Sequence, residues 1–177
     1  LDRSGIDLNA KSNDGWTAFI TACKKGHKDV VQLLLEHSNI DHDLNARENW
    51  EGKTAFMWAC GNGNKDVVKL LLDHANTNFE VNARDNDGRT ALMSACSYGD
   101  KDVVQFLLDR SGIDLNAKSN YGWTAFITAC KKGHKDVVQL LLEHSQILDT
   151  NIPEDIDLDK EIKDLISSGA SGKAKRI

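Results

Sequence analysis

A motif of nine residues occurs four times in this chain, and this repetition constrains the fold more than any other feature. The copies read GWTAFITAC from Gly15, GKTAFMWAC from Gly52, GRTALMSAC from Gly88 and GWTAFITAC from Gly122. Each copy is followed by a further glycine, by Lys-Asp-Val-Val and by a leucine-rich run. The threonines of the four motifs are 37, 36 and 34 residues apart. Such periods are typical of repeat proteins, whose units bury their apolar faces only against neighbouring units.

The first copy predicts that each unit consists of two short helices. Thr17 can cap a helix that begins at Ala18, and Gly26 can end it because glycine tolerates the left-handed conformation. A second helix over 28–37 carries Asp29 in its first turn, where the helix dipole favours a negative charge. Isolated helices shorter than about 12–15 residues are marginal in water, so each unit needs its neighbours. The pattern therefore predicts a stack of helix pairs.

The repeated residues resemble the ankyrin repeat family over about residues 1–150. They comprise Gly-x-Thr-Ala-Phe/Leu-Ile/Met-x-Ala-Cys, then Gly-x-x-Asp-Val-Val-x-Leu/Phe-Leu-Leu, then Leu/Val-Asn-Ala. The family pattern has Thr-Pro-Leu-His-x-Ala, and this chain has Ala in place of the Pro and Ile or Met in place of the His. The resemblance implies an all-α, ankyrin-type helical repeat solenoid, with paired antiparallel helices and projecting β-hairpin loops. It also implies a protein-protein interaction scaffold and not an enzyme.

The motif positions divide the chain into repeats and a terminal segment. Residues 1–38 and 108–145 differ only at Asp14 and Tyr121, so three repeats form a larger unit, and we expect the chain to be an excised fragment. Ile162, Leu165 and Ile166 have the spacing of one apolar helix stripe, as a terminal cap requires. We assign 1–11 to the end of a truncated preceding repeat, 12–46, 47–83, 84–117 and 118–151 to repeats 1 to 4, 152–168 to a C-terminal capping helix and 169–177 to a disordered tail.

The residue types argue against catalysis and metal binding. Cys23 and His27 have a metal-like spacing, but Asn64 and Asp100 replace the histidine in repeats 2 and 3. Cysteines one repeat apart should lie about 10 Å apart, too far for a disulfide. Residues 41–52 resemble a calcium loop but lack its central glycine and its final glutamate. We therefore predict no catalytic residue, no cofactor, no metal and four buried, reduced thiols.

The resemblance implies that a partner meets the hairpin tips and the exposed side of the first helices. These positions hold all four tryptophans and both tyrosines, with ten basic and five acidic residues, while the whole chain has a net charge of −5. Trp, Tyr and Arg are enriched at binding hot spots. The predicted partner-binding residues of this concave, aromatic and basic face are Trp16, Lys24, Lys25, Trp50, Lys53, Trp58, Arg89, Tyr98, Tyr121, Trp123, Lys131 and Lys132.

Three alternatives remain open at this point. Trp16 and Trp123 can instead brace neighbouring hairpins, although bracing does not explain Trp58 or Tyr98. The same face can bind nucleic acid by base stacking, but interleaved acidic residues such as Glu48 count against this. The near-identical segments also suggest an engineered array without a natural partner. We expect an acidic partner protein or peptide with apolar anchors, no membrane, a monomeric fragment and a cytoplasmic location, and no apolar run approaches the roughly 18 residues of a membrane helix.

Overall fold

A computed structural model of the chain describes residues 7–36, 44–74, 80–144, 152–154 and 156–174. These residues contain nine helices and no strand, and an isolated bridge pairs Arg47 with Thr54. The helices are α1 (Ala18–Lys25), α2 (Lys28–Glu36), α3 (Ala55–Gly61), α4 (Lys65–His74), α5 (Ala91–Tyr98), α6 (Lys101–Leu108), α7 (Ala125–Lys132), α8 (Lys135–Glu143) and α9 (Lys160–Ala174). The predicted all-α repeat architecture is confirmed. None of these helices is long and apolar enough to cross a membrane.

The first helix of each repeat begins where the motif predicted, and three of the four also end there. The Oγ1 atom of each motif threonine accepts a hydrogen bond from the backbone N–H three residues later. These N–H groups belong to Ile20 (3.1 Å), Met57 (3.3 Å), Met93 (3.4 Å) and Ile127 (3.2 Å). Helix α1 ends at Gly26, whose φ of 74° is left-handed, and α5 and α7 end in the same way. Helix α3 ends one residue early, with Asn62 as its cap.

The helices form two layers that share one apolar core. The first helices α1, α3, α5 and α7 pack in that order, the second helices α2, α4, α6 and α8 do the same, and each pair packs together. Phe56, Met57, Leu92 and Phe126 are among the buried core residues. The four cysteines lie in this core as free, buried thiols, as their shared motif position predicted. Burial raises the pKa of Cys23 and of Cys130 to about 12.

The turns that precede the first helices are linked from repeat to repeat. The backbone N–H groups of Asn49, Asn86 and Asn120 each donate to a carbonyl of the preceding turn at 2.9 Å. Each Asn side-chain amide donates to a second carbonyl of that turn, at 3.0 to 3.1 Å. The predicted hairpins are therefore tight turns joined edge to edge, with little strand pairing of their own. The segments 39–43 and 76–79 and the predicted helix end at 1–6 lie outside the described residues.

The terminal segment covers one layer of the last repeat. Asp159 accepts a hydrogen bond from the Ile162 N–H at 2.8 Å and begins α9, which packs against α8. Ile162 is fully buried, and Leu165 and Ile166 are half-buried against the core. The helix continues to Ala174, so the prediction that it ends at residue 168 and that a disordered tail follows was wrong for 169–174. Residues 175–177 are outside the described part.

The two near-identical segments differ in how much of them is covered. Val30 of α2 is 46% exposed, whereas the matching Val137 of α8 is 0% exposed. Leu33 is 64% exposed, whereas the matching Leu140 is half-buried. Helices α5 and α6 of repeat 3 pack on α7 and α8 of repeat 4, whereas no described helix precedes α1 and α2 of repeat 1. Identical sequences therefore occupy different environments at the two ends of the stack.

Candidate functional site

An open cleft of about 340 Å³ lies between the turns and the first helices of repeats 2, 3 and 4. Six of the twelve predicted site residues line it, namely Lys53, Arg89, Tyr98, Trp123, Lys131 and Lys132. Lys53, Arg89 and Trp123 occupy the same turn position in successive repeats, directly after the motif glycine. Lys131 and Lys132 end α7, and Tyr98 ends α5. We call this group of side chains, with the residues between them, the anion cleft, because of the charges described below.

Small side chains on the first helices leave the space that the cleft occupies. Trp58 of α3 corresponds to Ser94 of α5, and Gly61 of α3 corresponds to Ser97 of α5. Ser94, Ser97 and Gly61 all line the cleft, with Met93 beside them. In repeat 2 the large Trp58 side chain stands at the position that Ser94 leaves open. Gly61 and Met93 were absent from the predicted set. The sequence did offer a signal for Gly61, because the matching residues of the other repeats are the larger Lys24, Ser97 and Lys131.

The cleft carries a positive charge that the protein only partly neutralises. Lys53 pairs with Glu51 at 2.6 Å and Arg89 pairs with Asp87 at 3.0 Å, each within one turn. The ammonium of Lys131 lies 3.7 Å from the ring centroid of Trp123, a cation–π contact. None of the described residues that line the cleft is acidic. Lys53 and Arg89 therefore have carboxylate partners, whereas Lys131 and Lys132 have no ion-pair partner among the described residues.

The two tryptophans at the other end of the face form a brace. The ring centroids of Trp16 and Trp58 are 5.3 Å apart, and the Lys24 ammonium lies 4.4 and 4.0 Å from them. The Lys53 ammonium lies 4.5 Å from the ring centroid of Trp58. Both rings are half-buried and pack against the core, so the expectation that bracing does not explain Trp58 was wrong. The buried Nε1 of Trp58 has no hydrogen-bond partner in the described structure.

The remaining predicted residues lie at the surface. Trp50 is 74% exposed at the second turn, and Lys25 is exposed at the end of α1. Tyr121 is 61% exposed, its ring centroid is 5.7 Å from that of Trp123, and its hydroxyl donates to Asp87 at 3.3 Å. Tyr121 and Trp123 therefore extend the aromatic edge of the cleft, whereas Trp50 and Lys25 stand apart from it.

Two of the acidic turn residues do not face a partner at all. Glu48 is only 2% exposed, and its carboxylate accepts hydrogen bonds from the N–H groups of Trp50, Glu51 and Lys53. Asp85 is 7% exposed and accepts from the N–H groups of Asp87 and Arg89. Burial raises the pKa of Asp85, and the hydrogen bond and charge of Arg89 oppose that rise. Glu48 and Asp85 hold the turns, so their expected role as exposed acids that oppose nucleic acid was wrong.

The described residues offer binding groups and no metal-ligand cluster. They contain no group of three or more His, Cys, Asp or Glu side chains that could hold a metal ion. His27, which has the metal-like spacing from Cys23, is exposed while the thiol is buried. The cleft presents cations, hydroxyls and aromatic rings, which bind anions and apolar groups.

Comparison with known protein families gives a match that covers most of the chain. A family model described as ankyrin repeats (3 copies) matches residues 1–85, 40–119 and 77–154. The three matched stretches overlap and leave only the cap and the C-terminal residues unmatched. They include every residue that lines the anion cleft.

Proposed function

The chain belongs to the ankyrin repeat family, whose members are generally protein-protein interaction modules and typically not enzymes, and we propose that it binds a partner protein through the anion cleft. The partner is an acidic segment with apolar anchors. Its carboxylates or other anions meet Lys53, Arg89 and the two lysines that end α7. Its apolar groups cover Tyr98 and the exposed side of the Trp123 ring.

One observation carries this proposal, namely the different surroundings of the two ends of the face. Trp16 and Trp58 stack on each other and on the core, which accounts for them as structural residues. Tyr98 is 54% exposed and lines the cleft. Exposed aromatic residues that border a basic cleft are the usual composition of a binding hot spot.

The charges and the rings contribute to binding in different ways. Exposed lysines attract an acidic segment over a distance and speed encounter, and salt screens this effect. Aromatic rings that become covered slow release, because burial of their apolar area is lost on dissociation. Tyr98 and Trp123 are therefore the residues whose loss weakens the bound complex most.

A capture experiment with paired variants tests this function. The wild type, the double variant Tyr98→Ala/Trp123→Ala and the control Val30→Ala/Leu33→Ala are immobilised, and the proteins that each retains are compared. The control removes exposed apolar side chains from the second-helix layer, away from the cleft. A partner retained by wild type and control should bind the cleft variant more weakly by about 2 kcal/mol or more per lost hot spot. Equal retention by all three would refute the proposal.

Nucleic acid is the alternative ligand of the same face, and the same variants separate it. Glu51 and Asp87 stand beside Lys53 and Arg89, which lowers the attraction for a polyphosphate chain. Binding to a single-stranded oligonucleotide would weaken steeply with salt, with a slope of about 0.7 per phosphate neutralised. If the oligonucleotide binds with such a salt slope, and if Tyr98→Ala/Trp123→Ala abolishes that binding, the face would be assigned to nucleic acid instead.

A further inference from the structure

We infer that the anion cleft receives the phosphate group of a phosphorylated side chain of the partner. This inference rests on the proposed function and names the chemistry of its central contact. A phosphorylated Ser or Thr would place its phosphate between the turn cations and the lysines that end α7. Its neighbouring apolar residue would lie on the ring of Tyr98.

The charge of the cleft matches a phosphate monoester better than a carboxylate. Glu51 and Asp87 already pair with Lys53 and Arg89, so the uncompensated charge comes from Lys131 and Lys132. Lys132 is exposed and has no ion-pair partner within the described ranges. A phosphate monoester carries about −1.5 to −2 at pH 7, whereas a carboxylate carries only −1. A dianion therefore matches the two charges of Lys131 and Lys132, whereas a single Glu or Asp matches only one of them.

The hydroxyl groups of the cleft also suit an acceptor with several oxygens. The Ser119 Oγ accepts hydrogen bonds from the N–H groups of Tyr121 (3.3 Å) and Trp123 (3.2 Å), which leaves its own hydrogen to donate. Ser97 is half-buried in the lining as well. A phosphate offers three strong acceptor oxygens, and charge-assisted hydrogen bonds to it are stronger than neutral ones.

The other end of the face provides an internal comparison for this site. Lys24 and Lys25 end α1 in the same sequence context as Lys131 and Lys132. There the Lys24 ammonium lies over the rings of Trp16 and Trp58, at 4.4 and 4.0 Å. The indole of Trp58 stands where Ser94 leaves the cleft open in repeat 3. Lys131 makes the equivalent contact with Trp123, but no second ring lies against it among the described residues, so this pair of lysines borders an open cleft in repeat 4.

Short capped peptides test the inference directly. The probe is acetyl-Leu-phosphoserine-Leu-amide, compared with the same peptide carrying Glu or unmodified Ser, at constant ionic strength. Binding is followed by chemical-shift changes of backbone amides and of the Trp123 indole N–H. We expect the phosphopeptide to bind at least about tenfold more tightly than the Glu peptide, as one added charge-assisted contact predicts. Its affinity should fall between about pH 7.5 and 5.5, because phosphate gains a proton near pH 6 while lysine stays charged.

Matched charge variants locate the site. Lys131→Ala/Lys132→Ala should weaken phosphopeptide binding at least about tenfold. The control Lys69→Ala/Lys101→Ala removes the same charge from the second helices α4 and α6 and should leave the affinity unchanged. Far-UV circular dichroism of each variant verifies that the fold is intact.

The outcomes for the cleft and for the proposed function can be told apart. The inference is overturned if the Glu peptide binds as tightly as the phosphopeptide, if neither binds, or if both lysine pairs have equal effects. The proposed function survives that result as long as a partner from the capture experiment still depends on Tyr98 and Trp123. If partner capture does not depend on Tyr98 and Trp123, and phosphopeptide binding does not depend on Lys131 and Lys132, both the proposed function and the phosphate site are refuted.

Discussion

Substitution of matching valines in the two near-identical segments would test the central claim that neighbours, and not local sequence, decide burial. Val30 and Val137 occupy the same position of α2 and α8, in segments that differ at a single turn residue. Val30 is 46% exposed and Val137 is 0% exposed. Replacing each with Ala removes the same two methyl groups from the same helix position.

The expected losses follow from these exposed fractions. Two buried methyl groups are worth about 1.6 kcal/mol, and the cavity left behind brings the loss at Val137 to about 2–3 kcal/mol. At Val30 the methyl groups are only about half buried, so roughly half of their burial free energy is lost. Solvent fills the space they leave, and we therefore expect the free energy of unfolding to fall by about 0.5–1 kcal/mol. Ala is the better helix former by up to about 0.5 kcal/mol, but this gain is equal at both sites. The flanking residues are identical, so effects on the unfolded chain also cancel.

Urea denaturation followed by far-UV circular dichroism measures both losses. The free energy of unfolding should fall by about 1.5 kcal/mol more for Val137→Ala than for Val30→Ala. The double variant should show the sum, because the two sites are in repeats 1 and 4 and share no neighbours. Losses that agree within about 0.5 kcal/mol would contradict the reasoning, as would a larger loss at Val30.

Three further predictions concern the rings, the thiols and the cap. Trp16→Ala should lower the free energy of unfolding by about 2 kcal/mol through loss of its stacking and lysine contacts, and Trp123→Ala should lower it less, as thermal unfolding of the two variants would show. Burial raises the pKa of Cys96 above the unfolded value near 9, so its contribution to stability is complete below that value and is lost at higher pH, by about 1.4 kcal/mol per pH unit. Urea titrations near pH 8 and pH 10.5 should therefore show a shallower alkaline loss for Cys96→Ala than for the wild type, and parallel curves would exclude this cause. Ile162→Asp should cost about 3 kcal/mol or more and promote aggregation, and a variant as soluble and heat-stable as the wild type would show that α9 does not cap the stack.

The parts of the fold that depend on local chemistry were predictable from the sequence. Thr17 and its equivalents cap the first helices because one hydroxyl satisfies one free N–H, and this requires no knowledge of neighbours. The glycine ends of α1, α5 and α7 follow from the left-handed backbone for the same reason. The period and the apolar pattern then gave the two-layer stack, since short helices are stable only against one another.

The parts that depend on contacts between repeats were less predictable. Glu48 is charged and lies in a turn, so its sequence suggests exposure, but three backbone N–H groups converge on its carboxylate and keep it inside. The end of α9 was placed too early because Ser168 and Gly169 are weak helix formers. Gly169 instead lies against Leu142, where an added Cβ would be only 2.9 Å from the Leu142 Cδ1. Close packing on α8 overrides local preference there.

The candidate site was predicted as a set of residues but not as a shape. The twelve side chains were chosen by alignment columns, and columns alone do not distinguish the Trp16 brace from the Trp123 edge of the cleft. The Trp16 ring stacks on Trp58 of the following repeat, whereas Trp123 stacks on Tyr121 of its own turn. Lys24 and Lys131 both pack on the tryptophan of their own repeat, and only Lys24 also meets a ring of the adjacent repeat.

The face of repeat 1 that no described residue covers has a consequence for solutions of a chain with these boundaries. It carries the same side chains with which repeat 4 packs on repeat 3, because the two segments are almost identical. Whenever repeat 4 opens away from repeat 3, repeat 1 of a second molecule is a ready substitute for it. The tethered copy has the advantage of an effective concentration of order millimolar, so exchange between molecules becomes significant only when the protein approaches that concentration. Domain-swapped chains are thus the expected form of self-association at high concentration or under conditions that loosen the C-terminal repeat.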